Sequence, residues 1–178
     1  DGHAVEELPP IASWRDAYRA FGAKPQRTRN SLEALTRRAG SEAGLPRVNR
    51  LTDLYNAVSV LHQIPLGGED LNRYDGPPRL VRATGEEPFD TVADGADVVE
   101  HPEPGEVVWC DEIGVTCRRW NWRQGIRTRL SLSSPRMWFI LECLPPMPRT
   151  ALWEAGDRLI AGLTQMMPGA RIEQTLVE

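Results

Sequence analysis

The spacing of apolar residues changes period along this chain, and that change most narrows what it can fold into. Ile11, Trp14, Tyr18 and Phe21 recur at intervals of three and four, the period of one helical face, and Gly22 ends the run. A second, short helix is predicted from Asn30, a capping residue with Glu33 three positions on, through Leu32 and Leu35 to the basic Arg37-Arg38 end closed by Gly40. Leu51, Leu54, Val58 and Leu61 predict a third, which stops at Pro65 ahead of Gly67 and Gly68. The pattern then shortens. Residues 80–83, 107–110, 115–119 and 137–143 are β-prone runs bounded by Gly, Pro, Asp or Ser. Between the middle two, Asp111-Glu112-Ile113-Gly114 reads as a hairpin turn in which Gly114 takes a positive backbone angle. Residues 153–167 read as a closing helix and 171–177 as a last strand. Helices, a strand cluster and a helix predict one α+β domain over residues 1–178, with a central, mostly antiparallel sheet, flanking helices and a tail over residues 1–10.

Composition excludes several function classes. An apolar fraction of 40% supports one real core, while a 26% charged fraction and a net charge of −4 exclude a globally basic nucleic-acid binder, so any RNA contact must be local. No run approaches the roughly 18 apolar residues of a membrane span, and no basic-then-apolar leader opens the chain, so no membrane partner is expected. Three cysteines read as reduced thiols, which predicts the cytoplasm. The chain begins at Asp1 without a methionine, and a native amino-terminal portion is expected before it.

Four segments carry candidate chemistry. On the third helix, Asn56, Ser59 and Gln63, or Tyr55, Ser59 and His62, form a polar line at helical spacing, either facing a ligand or merely solvated. Residues 65–70 offer the amides of Gly67 and Gly68 beside Glu69 and Asp70, as a ligand-approach loop or as a simple turn. The run Cys117-Arg118-Arg119-Trp120-Asn121-Trp122-Arg123-Gln124-Gly125 interleaves guanidinium forks, which suit phosphates, with indoles, which suit unpaired bases. Its plainer reading is a strand with Trp120 and Trp122 inward and the arginines paired with acids. Glu142 ends an apolar run, where desolvation must be offset by a pocket, a hydrogen bond or an arginine.

Cys110 and Cys117 lack further ligands at zinc spacing, so no metal is expected. Phosphate-loop, dinucleotide and nucleophile-elbow motifs are absent, and no cofactor is expected. With His3 in the tail and His101 in a Pro-rich loop, His62 is the one candidate catalytic imidazole.

Taken together, residues 45–56, the Ile64-Pro65-Leu66-Gly67-Gly68-Glu69-Asp70 segment and the Arg-Arg-Trp-Asn-Trp-Arg-Gln run resemble the B3/B4 domain, over about residues 14–143. That domain is the editing module in the β subunit of bacterial phenylalanyl-tRNA synthetase, and it also occurs as small freestanding proteins. The resemblance implies hydrolysis of mischarged aminoacyl-tRNA, with the charged 3′ end of tRNA as partner and its amino acid as the recognised moiety. Asp53-Leu54-Tyr55-Asn56 looks like the family's helix motif, which puts Asn56 in the pocket wall, and Phe139-Ile140-Leu141-Glu142 looks like the strand whose glutamate contacts substrate. The family's editing histidine falls on Gly67, and its Gly-rich pocket stretch falls near 117–124, where this chain carries bulky residues.

On this reading Glu142, His62 and Asn56 are the catalytic candidates. Tyr55, Ser59, Gly67, Gly68 and Asn121 are expected to contact substrate, and Arg118, Arg119, Trp120, Trp122 and Arg123 to contact RNA. The rivals are a binding module that keeps the fold without hydrolysis and a purely structural domain. The amino acid, the tRNA and the oligomeric state are not legible.

Overall fold

The protein is described by a computed structural model over residues 4–177; His3 lies outside the described residues. Among the described residues four α-helices, α1 (Pro9–Ala20), α2 (Ser31–Ala39), α3 (Arg50–His62) and α4 (Arg149–Met166), accompany eight strands. These are β1 (Leu66–Asp70), β2 (Arg79–Arg82), β3 (Phe89–Ala93), β4 (Ala96–Glu100), β5 (Val107–Cys110), β6 (Val115–Arg118), β7 (Arg123–Gln124) and β8 (Met137–Leu141). Every strand pairing is antiparallel. The strands divide into a four-stranded sheet, β2-β5-β6-β7, and two ribbons, β1-β8 and β3-β4, so the α+β class holds while the sheet is split.

Helix ends follow local chemistry. The Asn30 side chain accepts from the Glu33 amide at 2.8 Å, and Asn49 Oδ1 accepts from the amides of Leu51 and Thr52. At its other end α3 closes on Gln63, held in the left-handed region at φ 54°, with the Ser59 hydroxyl donating to the Ile64 carbonyl at 2.6 Å. Such caps contribute about 1 kcal/mol each. Burial contributes more: Leu51, Val58, Leu159 and Leu163 form a seam between α3 and α4, and each is worth about 2 kcal/mol. That seam fixes α3 against the β1-β8 ribbon, where Leu66 joins the same cluster.

The ribbon has two faces because its side chains alternate. Leu66, Gly68, Phe139 and Leu141 share the helix-facing side, and an added Cβ at Gly68 would lie 2.8 Å from the Phe139 ring. Gly67, Glu69, Trp138 and Ile140 share the other side. The stretch expected to be a loop is therefore β1, with its backbone committed to a ladder rather than to a ligand.

Two further expectations are corrected. Gly114 is not in the left-handed region; it is required because a Cβ would lie 2.4 Å from the Pro88 carbonyl oxygen. Residues 171–177 form no strand: the segment packs on the helices, with Ile172 in the α3-α4 cluster and Gln174 against Gly156. At the amino-terminal end, Glu6 pairs with Arg37, joining residues 4–8 to α2.

Candidate functional site

The turn between β6 and β7 contains two consecutive non-glycine residues at positive φ, Arg119 at 48° and Trp120 at 67°. Each costs on the order of 1–3 kcal/mol and persists only where its surroundings fix it. Here the Arg119 amide donates to Glu106 Oε1 at 3.0 Å, the Trp120 amide to the Val107 carbonyl at 2.7 Å, and the Ser31 amide to the Asn121 carbonyl at 3.0 Å. The strained turn aims two side chains at one point. Trp120 Nε1 donates to Glu142 Oε1 at 2.8 Å, and Asn121 Nδ2 donates to Glu142 Oε2 at 3.0 Å. Trp109 Nε1, from β5, adds a third bond to Oε1 at 3.0 Å. The Tyr18 hydroxyl donates to Asn121 Oδ1 at 2.9 Å and so fixes which end of that amide faces the carboxylate.

A carboxylate offers about four acceptor positions, and three are filled, which leaves capacity for one more donor. Burial pushes the Glu142 carboxyl up to about 7, against the pull of the three N–H donors. Its aromatic surroundings are braced in turn, since Trp120 meets Trp14 edge-on at 5.1 Å and Trp109 meets Trp138 at 5.6 Å.

Glu142 opens into a cavity of about 180 Å³ bounded by α3, the β1-β8 ribbon and the β6-β7 turn. The polar face of the ribbon is its floor. Gly67 leaves that floor bare, and a Cβ there would reach Gln124 Nε2 at 3.0 Å. Asn56 and Tyr55 form the helix wall, and among the described residues the Asn56 side chain makes no hydrogen bond.

A second carboxyl also lines the cavity. Glu69 is 1% exposed and accepts from the Thr128 hydroxyl at 2.7 Å and from the Tyr74 hydroxyl. Burial pushes it to about 7 as well. Cys117 completes the floor, and burial holds its thiol well above the usual range, a poor nucleophile.

The candidates drawn from the sequence therefore separate. Tyr55, Asn56, Gly67, Trp120, Asn121, Trp122, Arg123 and Glu142 line one cavity. Ser59, Gly68 and His62 do not: Ser59 caps its helix, Gly68 sits under Phe139, and His62 lies six residues beyond Asn56, about 9 Å along the helix axis. The Nε2 atom of His62 is buried without a partner. His101 is exposed.

Arg118 is 6% exposed and is locked to Glu106, with Nε at 2.9 Å and Nη2 at 2.8 Å, and to Glu100 at 3.1 Å. That is the acid-paired arrangement, and it removes Arg118 from any ligand. Arg119 lies over the Trp122 ring at 4.5 Å, and Arg123 bonds the Val92 carbonyl at 2.9 Å. The sequence reading missed Trp109 and Glu106, and it noted Glu69 only as a loop acid. Among the described residues no metal-binding cluster is present and no helix is long and apolar enough to cross a membrane.

Nothing among the curated proteins or the solved structures matches the chain. The family model of the B3/4 domain matches residues 13–152, a span that contains every residue lining the cavity, and the chain belongs to the B3/4 domain family.

Proposed function

We propose that the chain hydrolyses mischarged aminoacyl-tRNA, taking the aminoacylated 3′ end of a tRNA into the Glu142 cavity. The observation that carries the proposal is a carboxylate held by three N–H donors with one acceptor position to spare, which suits an α-ammonium group. The cavity's size agrees: about 180 Å³ suits an amino acid and falls short of the roughly 300–1,000 Å³ that larger ligands occupy. The motif resemblance to a synthetase editing module adds the ester as the group to be cut.

In this reading Glu142 anchors the amino group, and the bare Gly67 floor admits the side chain. Asn56 and Gln124 orient the ester carbonyl and a water. Addition of that water to the carbonyl, followed by departure of the ribose hydroxyl, gives free amino acid and uncharged tRNA. No protein nucleophile is needed, and positioning supplies the rate.

A non-catalytic amino-acid or tRNA-binding module is the second reading, favoured by the fact that among the described residues no imidazole lines the cavity. The purified protein, given a panel of correctly and incorrectly charged tRNAs, decides between them: release above the spontaneous rate supports hydrolysis, and binding without release supports the module.

The pH profile is a sharper fingerprint. The anchor works only as a carboxylate, so kcat/KM, corrected for spontaneous hydrolysis, is expected to rise with pH until about 7. It then falls as the substrate ammonium deprotonates near pH ~8. Glu142→Gln removes the acid limb. If only Glu69→Gln removes it, Glu69 is the titrating group.

The two adjacent glycines separate fold from function. Gly67→Val is expected to keep stability within about 0.5 kcal/mol, because Gln124 can swing aside, while kcat/KM drops at least tenfold. Gly68→Ala is expected to cost about 1–3 kcal/mol, because the Phe139 ring cannot yield. Urea denaturation and deacylation of both variants check the contrast.

A further inference from the structure

The chain carries a net charge of −4, yet residues 15–38 hold seven basic side chains against Asp16 and Glu33, a local +5. Part of that charge lines a groove of about 470 Å³ formed by Arg27, Arg29, Arg37 and Arg38, with Ala34 and Trp122. Trp122 also lines the Glu142 cavity, so one indole is shared by the groove and the pocket.

The bland reading of a charge run is a solvated face, and here Glu33, with Glu6 on Arg37, offsets only part of the charge. Glu33 is fully buried and already meets three guanidiniums, those of Arg15 at 2.8 Å, Arg37 at 3.0 Å and Arg29 at 3.5 Å. The Arg27 side chain has no hydrogen bond or ion pair among the described residues, and Arg38 uses its Nε on the Gly44 carbonyl at 3.1 Å, which leaves its paired amino groups free to form a fork. Both side chains are exposed. By contrast, Arg118, one of the three arginines that the sequence singled out, is spent on Glu106.

We infer that this groove on the α2 side is a phosphate track for single-stranded RNA, leading its 3′ end past Trp122 into the cavity. The inference rests on the proposal that an RNA 3′ end is the ligand of the cavity. Guanidinium forks match phosphate oxygens, and an indole at the exit offers a stacking surface for the last bases.

The test is fluorescence anisotropy with a short labelled single-stranded RNA ending in CCA and carrying no amino acid, titrated at several salt concentrations. Arg27→Ala/Arg38→Ala is expected to bind it about tenfold more weakly than wild type. Its log Kd against log salt slope should fall by about 1.4, the share of two single-strand phosphate contacts. Its thermal unfolding should match wild type, since neither residue pairs with an acid, and Arg27→Glu/Arg38→Glu should weaken binding further. The inference is overturned if wild type does not bind the RNA, or if the alanine pair binds with unchanged affinity and slope. If the arginine effect appears while wild type releases no amino acid from any charged tRNA, the track stands and the hydrolytic reading falls. If release occurs and RNA binding ignores the arginines, the reverse holds.

Discussion

Glu142→Ala is expected to lower kcat/KM for ester release by about 100-fold or more, the scale on which a buried, hydrogen-bonded charge contributes when its partner is a ligand ammonium. Stability should change far less. The three N–H groups left behind, from Trp109, Trp120 and Asn121, border an open cavity where water can take the place of the carboxylate oxygens. Single-turnover deacylation together with urea unfolding separates the two effects. A variant that loses folding and activity in parallel would make Glu142 a structural residue instead.

Glu106→Ala should fail in the opposite way, through the fold first. Glu106 is 3% exposed and accepts two bonds from the Arg118 guanidinium and one from the Arg119 amide. Removing it leaves the buried Arg118 guanidinium with half-buried Glu100 as its one acid partner and releases the strained turn that presents Trp120 and Asn121. The expected cost is about 3–5 kcal/mol, a large part of the 5–15 kcal/mol that holds a typical domain together. For comparison, Glu112→Ala breaks an exposed pair with Arg79 and should cost under about 1 kcal/mol. Urea midpoints for the two variants check the ranking. Equal midpoints would mean that the Arg118 cluster carries little stability.

What the sequence disclosed depended on how local the cause was. The α2 cap was legible because Asn30 and Glu33 are three residues apart, and helical spacing located α1 and α3. The ribbon strand β1 was not, because Gly67 and Gly68 depress strand propensity and the close approach of Phe139 that requires Gly68 is distant in sequence. The β3-β4 hairpin carried a readable signal, since Asp94-Gly95 takes φ 51° and 80°, the geometry such a pair favours, but its β-prone flanks were not singled out. Glu142 was legible as an acid out of place in an apolar run. Its three donors were harder to assign, because they come from 33, 22 and 21 positions earlier and no local rule joins them. The arginine-tryptophan run showed the converse limit. Its residue types suggested RNA contacts, while only the fold reveals that Arg118 faces a buried acid and that exposed guanidiniums gather on α2 and the segment just before it.

The central claim is that the Glu142 cavity binds an amino acid through its ammonium group and cuts its ester to RNA. Its most direct test is the single-turnover rate of amino acid release from a panel of mischarged tRNAs, measured with wild type and with Glu142→Gln side by side. The account predicts release from at least one mischarged tRNA well above the spontaneous rate, slowed about 100-fold in the variant. Release at equal rates by the two proteins, or none by wild type while the charged tRNA stays bound, would contradict it.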